Sequence, residues 1–177
     1  MKVLFIGDIV GRRARNYAQE KIVELKTKLK LDAIIVNVEN SAGGFGVTPS
    51  ICDDFFRVGA DVLTTGNHIW DKREIISYIT KNDRLLRPLN MIEGTPGLGM
   101  TIVDLDAGKI GVANIMTNLF MQKTDNVFDK IPDILKNLKL KKNVDFSLVD
   151  IHGEASSEKM ALGNALDGKV TAVVGTH

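Results

Sequence analysis

Ala33-Ile34-Ile35-Val36-Asn37-Val38-Glu39-Asn40 is an apolar, β-branched run that ends abruptly in a carboxylate and a carboxamide. A run of this kind reads as a buried strand, with Glu39 and Asn40 at its carboxyl end. The same form recurs along the chain. Lys2 to Ile6 leads into Gly7-Asp8, and Asp61 to Thr65 into Gly66-Asn67-His68. Phe146 to Ile151 leads into His152-Gly153-Glu154, and Val170 to Val174 into Gly175-Thr176-His177. Amphipathic stretches separate several of these runs: a helix from about Arg12 that carries Ala18, Ile22, Leu25 and Leu29 on one stripe, and helices expected over 49–58, 71–80, 127–138 and 157–166. Interleaved strands and helices are the sequence form of an α/β domain. The turn-rich segment 93–99, followed by Met100 to Leu105 and Lys109 to Ile115, predicts one β-hairpin within it.

Five predicted strands thus deliver Asp8, Glu39-Asn40, Asn67-His68, His152 and His177 at the same end. In open α/β sheets ligands bind outside the strand carboxyl ends, so residues remote in sequence can meet around one centre. Each residue alone has a plainer role: Asp8 as a helix N-cap, Glu39-Asn40 and Asn67 as strand-closing turn residues, His68 and His152 as satisfied imidazoles, and His177 as a disordered last residue. Those roles do not explain why every strand ends in a ligand-type residue. Carboxylates, carboxamides and imidazoles without a thiolate favour borderline or hard cations over a structural zinc site. Six or more such residues exceed the needs of one ion and suit two, with a carboxylate such as Glu39 as bridge.

Composition narrows the remaining classes. At 177 residues with 44% hydrophobic content, the chain can fill one core, and a single domain over 1–177 is expected. Lys+Arg 23 against Asp+Glu 22 leaves a net charge of +1, so no global field draws nucleic acid or an anionic membrane. The lysine-rich stretch 136–142 lacks interleaved aromatics and reads as a solvated helix end, so stable nucleic-acid binding is not expected. Met1 is followed by an acidic residue after one short apolar run, which gives no secretory or membrane-spanning segment and predicts a cytoplasmic protein. The single cysteine, Cys52, reads as a small semi-buried residue with no partner for an internal disulfide. Gly-rich Ser41 to Gly46 matches neither a dinucleotide fingerprint nor a P-loop. There is no Gly-x-Ser-x-Gly elbow, and no second Asp two residues after Asp8, so a covalent serine or aspartyl nucleophile is disfavoured.

Gly7-Asp8-Ile9-Val10-Gly11, Val38-Glu39-Asn40, Gly66-Asn67-His68 and Gly175-Thr176-His177 resemble the successive motifs of calcineurin-like metallophosphoesterases. The longer strings Asn67-His68-Ile69-Trp70-Asp71-Lys72, Arg87-Pro88, Glu93-Gly94-Thr95-Pro96-Gly97 and His152-Gly153-Glu154-Ala155-Ser156-Ser157-Glu158-Lys159 resemble the YmdB-like branch, 2′,3′-cyclic-nucleotide phosphodiesterases. The resemblance implies a layered fold of β-sheets flanked by helices. It implies Asp8, Glu39 and Asn40 on one ion, Glu39 bridging to a second held by Asn67, His152 and His177, and His68 as general acid. It also implies iron, with manganese or zinc able to occupy the same ligands, and hydrolysis of a small phosphoester, a nucleotide, by metal-activated hydroxide. A 5′-nucleotidase-like phosphomonoesterase on the same site is the alternative reaction. Two features depart from the pattern. Gly153 and Ala14 stand where Ala and Gly are expected, and the second Thr-His pair and final strands that the resemblance implies are absent. The second departure predicts a domain incomplete at its C-terminus and raises the alternative of a non-catalytic metal- or nucleotide-binding remnant. Self-association is left open by the sequence.

Overall fold

The computed structural model describes all 177 residues. Strands β1 (Val3–Ile6), β2 (Ala33–Asn37) and β3 (Val62–Thr64) form a parallel sheet in that order. Strands β4 (Met100–Leu105), β5 (Gly108–Met116), β6 (Phe146–His152) and β7 (Ala172–Thr176) form a second sheet, antiparallel at the β4–β5 hairpin and parallel across β5, β6 and β7. The helices are α1 (Gly11–Leu29), α2 (Pro49–Arg57), α3 (Ile75–Ile79), α4 (Ile131–Asn137) and α5 (Ser156–Leu166). This is the expected α/β class of sheets flanked by helices. No helix is long and apolar enough to cross a membrane.

Alternation along the strands builds the layers, because successive side chains point to opposite faces. In β2, Ile34 and Val36 pack against Ala18 and Ile22 of α1 and Phe55 of α2. The intervening Ala33 and Ile35 instead meet Ile110, Val112 and Leu148 of the second sheet. On that sheet's far face, Ala113, Ile115, Val149 and Ile151 pack against Ile134 of α4 and Leu162 and Leu166 of α5. The order is therefore helix, sheet, sheet, helix, with the two sheets face to face. Of the predicted stripe on α1, Ala18 and Ile22 are buried, Leu25 is half-buried, and Leu29 at the helix end is exposed.

Three elements differ from the sequence reading. In place of the helix expected over 71–80, a 3-10 turn at Ile69–Asp71 runs into extended Lys72, and only then does the chain enter the short α3. Two His68–Asp71 hydrogen bonds tighten this turn, the Asp71 N–H to the His68 carbonyl at 3.1 Å and the His68 ring to the Asp71 carboxylate at 2.9 Å. Over 127–138 a 3-10 turn at Val127–Lys130 runs into α4, with Pro132 in the first turn, where its missing N–H costs nothing. The last strand begins at Ala172 and carries Thr176 inside the sheet rather than beyond it.

Asp61 joins β2 to β3 twice: its N–H donates to the Ile34 carbonyl at 2.8 Å, and its carboxylate accepts from the Ile34 N–H at 2.8 Å. Burial pushes the Asp61 carboxyl above its ordinary value, partly offset by the Ile34 N–H. The native state therefore holds this proton to higher pH than the unfolded chain does. Stability contributed by the protonated form is present below the unfolded pKa and declines as pH rises through the raised native one. Asp61→Asn keeps an acceptor for Ile34 and should flatten that decline in urea-unfolding curves taken from about pH 3.5 upward; an unchanged slope would contradict the assignment.

Candidate metal centre

The inner faces of the two sheets are apolar at the amino ends of the strands and polar at the carboxyl ends. Ala33 and Ile35 give way to Asn37, Val62 to Thr64, Ile110 and Val112 to Asn114, Leu148 to Asp150 and His152, and Val174 to Thr176. Each step is two residues, so one face changes character along its length. Asp150 lies fully buried where the change occurs. Its Oδ2 accepts from Thr64 Oγ1 at 2.6 Å and Asn37 Nδ2 at 3.0 Å, and its Oδ1 from Thr176 Oγ1 at 2.8 Å. Burial pushes the Asp150 carboxyl up, while these three donors pull it the other way.

From this carboxylate, order passes to two candidate ligands. Thr176 spends its proton on Asp150, so its oxygen can only accept from His152 Nδ1–H, 3.0 Å away. That fixes the tautomer of His152 and leaves Nε2 as the ligating atom. Asn37 donates to Asp150 and accepts from the Glu39 N–H at 3.2 Å, which sets the turn that carries Glu39.

Around His152 Nε2 stand Asn67 Oδ1 at 3.0 Å, Glu39 Oε1 at 3.1 Å and His177 Nδ1 at 3.2 Å. His177 Nε2 lies 3.0 Å from Glu154 Oε2, so Glu154 accepts from Nε2–H and Nδ1 keeps its lone pair. Four electron-pair donors thus converge. One proton on His152 Nε2 serves one or two of its neighbours, whereas a cation at their centre serves all four. Separations of 3.0–3.2 Å suit neighbouring ligands of one ion whose bonds are about 2.1 Å and roughly perpendicular. The side chains of Glu39 and His152 are fully buried there, and no lysine or arginine pairs with either.

Asp8 and Asn40 adjoin this cluster on the Glu39 side. Asn40 Nδ2 is spread over Asp8 Oδ1 and Oδ2 at 3.2 and 3.1 Å and Glu39 Oε1 at 3.4 Å, while its buried Oδ1 has no partner. An amide thus occupies ground where two carboxylates would draw a cation, with an unused oxygen ligand beside them. Burial, and after it the Glu39 charge, pushes the Asp8 carboxyl above its ordinary value. Asp8 is not the cap of α1: the cap position is Val10, without a side-chain bond, and the Gly11 N–H donates to the Asn40 carbonyl instead. The donor set fits one ion at His152 and has the ligands for a second at Asp8.

His68 stands apart from the four donors. Its N–H points toward Glu39 Oε2 at 3.5 Å, but its ring turns to Asp71, with Nδ1 2.9 Å from Oδ2. Cys52 is fully buried in α2, deeper than the semi-buried place expected, and burial pushes its thiol far up. Asp71, Asp150, Thr176, Asn37 and Glu154 were missed as site residues. Asp150 carried a signal, since it shares the β6 face with His152 two residues on, and so did Asp71, one tight turn after His68.

Two glycines are explained by close approach. A Cβ on Gly153 would overlap the Thr117 side chain, so Thr117 accounts for glycine where alanine was expected. A Cβ on Gly66 would overlap both Glu39 and the His152 ring. Gly66→Ala should therefore weaken divalent-metal binding by roughly 10–100-fold in calorimetric titration while the thermal melt stays cooperative; unaltered affinity would remove Gly66 from the account.

The family model for YmdB-like proteins matches residues 4–177. The chain is 42% identical over its whole length to the 2′,3′-cyclic-nucleotide 2′-phosphodiesterase of Bacillus subtilis, and spans 66% of that relative. It superposes on a Thermus thermophilus crystal structure with TM-score 0.90 and 33% identity, covering all of this chain and 68% of that one. For a Mycoplasma pneumoniae structure described as a novel phosphatase, the values are 0.87 and 31%, covering 100% and 64%. A Staphylococcus aureus structure described as a candidate 5′-nucleotidase shares the fold at TM-score 0.65 and 14% identity, over 98% of this chain and 44% of its own. The family match over nearly the whole chain, together with these identities, makes this chain a member of the YmdB-like family.

Proposed function

We propose that residues 1–177 form one metallophosphoesterase unit that hydrolyses 2′,3′-cyclic nucleotides to nucleoside 3′-phosphates. The observation that carries this reading is the convergence of Glu39, Asn67, His152 and His177 on one point, with His68 beside them and not among them. The Bacillus subtilis relative, 42% identical, supports the choice of bond.

Asn67, His152, His177 and Glu39 would hold one ion, and Asp8, Asn40 and the shared Glu39 a second. Iron, manganese and zinc all suit this donor set. The ions, when bound, supply Lewis acidity that acidifies an attacking water and neutralises charge on the phosphoryl oxygens. The protein's own work is positioning and proton transfer. Asp150 and Thr176 hold the His152 ring, and Glu154 holds that of His177. In the doubly protonated His68 ring Asp71 accepts from Nδ1–H, and the Nε2–H is the proton given to the departing ribose oxygen, after which the ring keeps its Nδ1 proton. Because that oxygen remains tethered to the sugar, the ring opens and the product stays one molecule.

The Mycoplasma pneumoniae relative favours a second reading, a phosphomonoesterase on the same centre. Turnover of 2′,3′-cyclic AMP against 5′-AMP separates the two. In the cyclic reaction, His68→Ala should lower turnover by about 10²–10⁴-fold with metal content unchanged, whereas Glu39→Gln should lose metal. Loss of metal from His68→Ala would make His68 a ligand and overturn its role as acid.

A further inference from the structure

We propose that Phe45 is the stacking surface for the substrate's nucleobase, an inference that rests on the cyclic-nucleotide reading above. Its ring lies against His68, centroids 4.8 Å apart and planes inclined by 57°, yet the residue remains 57% exposed. The chemistry places the base on this side. In-line attack puts the nucleophile opposite the leaving oxygen, so the proton donor stands on the leaving-group side of phosphorus. In a 2′,3′-cyclic nucleotide the leaving oxygen belongs to the ribose, which carries the base. A base projecting from that ribose therefore lies on the His68 side of the centre, where Phe45 presents an open aromatic surface.

The loop that carries Phe45 is held in place. Arg15 Nη1 donates to the Ser41 carbonyl at 3.0 Å, Ser41 Oγ donates to the Val38 carbonyl at 2.7 Å, and the Ala42 N–H donates to the Gly46 carbonyl at 2.9 Å. Gly44 N–H bonds the carbonyl of the candidate ligand Asn40 at 3.2 Å. Gly46, at φ +76°, lies so close to the His68–Lys72 turn that a Cβ there would sit 3.1 Å from the His68 carbonyl oxygen. An aromatic held by a fixed loop and open on its outer side costs a ligand little ordering to stack upon. Stacking on one ring is tolerant of sequence, since every base has a π-face, and favours the larger purines. Phe120 is the rival platform: it is 86% exposed with a left-handed backbone at φ 64°, in the loop that leads to Gln122, whose Nε2 donates to the Asn67 carbonyl at 3.1 Å. Phe45 is favoured because it touches the proton donor.

The test is binding of adenosine 3′-phosphate and of inorganic phosphate to the metal-loaded chain, by calorimetry, beside turnover of 2′,3′-cyclic AMP. Phe45→Ala should weaken adenosine 3′-phosphate by at least about fivefold and leave phosphate binding unchanged, with Phe45→Tyr restoring the nucleotide affinity and Phe45→Leu restoring little of it. An unchanged ratio of the two affinities in Phe45→Ala, or a ratio that changes in Phe120→Ala instead, overturns the assignment. Equal losses for nucleotide and phosphate also overturn it, because Phe45 would then act through His68 or the metal ligands. Nucleotide binding that depends on Phe45 without cyclic-nucleotide hydrolysis would sink the reaction and keep the subsite. Hydrolysis indifferent to Phe45 would do the reverse.

Discussion

A carboxylate buried between two sheets is the constraint on which the rest of the site depends. Burying an unpaired charge costs several kcal/mol, and Asp150 meets that cost with donors drawn from both sheets: Thr64 and Asn37 from one, Thr176 from the other. Those donors exist only when the sheets face each other in this register. The apolar layer of Ala33, Ile35, Ile110, Val112 and Leu148 holds the sheets together, and Asp150 fixes how they meet. Two of its donors then act outward, Thr176 on the His152 ring and Asn37 on the turn that presents Glu39. Fold stability and ligand geometry are joined at one side chain.

This joint explains why three electron-pair donors can be held 3.0–3.2 Å from His152 Nε2 in a site with no lysine or arginine partner. Left alone, such groups repel or must share protons. A scaffold that keeps them together has a cation as its natural complement. The candidate proton donor follows the opposite logic. The tight turn at Ile69–Asp71 and the Asp71 carboxylate hold the His68 ring off the donor cluster.

Much of this was legible in the sequence because strands deliver residues to one edge. The runs ending in Asp8, Glu39, Asn67 and His152 needed no knowledge of strand pairing to be read as meeting at one edge, where the structure brings them together. Long-range pairing was what the sequence hid. The hairpin of β4 and β5 announced a change of connectivity, but nothing local shows that this second sheet turns its face onto the first. Asp150 and Thr176 went unread for that reason: the meaning of each lies in partners tens of residues away, Thr64, Asn37 and Thr176 for Asp150, and Asp150 and His152 for Thr176. Thr176 was further concealed by a strand boundary read two residues early. The helix expected over 71–80 is shortened to Ile75–Ile79, because the 3-10 turn at Ile69–Asp71, closed by the His68–Asp71 bond, is followed by extended Lys72.

The most direct measurement is anomalous X-ray diffraction, at the metal absorption edge, from crystals of the chain equilibrated with manganese or iron. The account predicts a peak at the point shared by Glu39, Asn67, His152 and His177, within about 2.3 Å of His152 Nε2. A well-ordered crystal in which those side chains keep their places, yet no anomalous peak lies among them, would contradict the claim that this convergence is a metal centre.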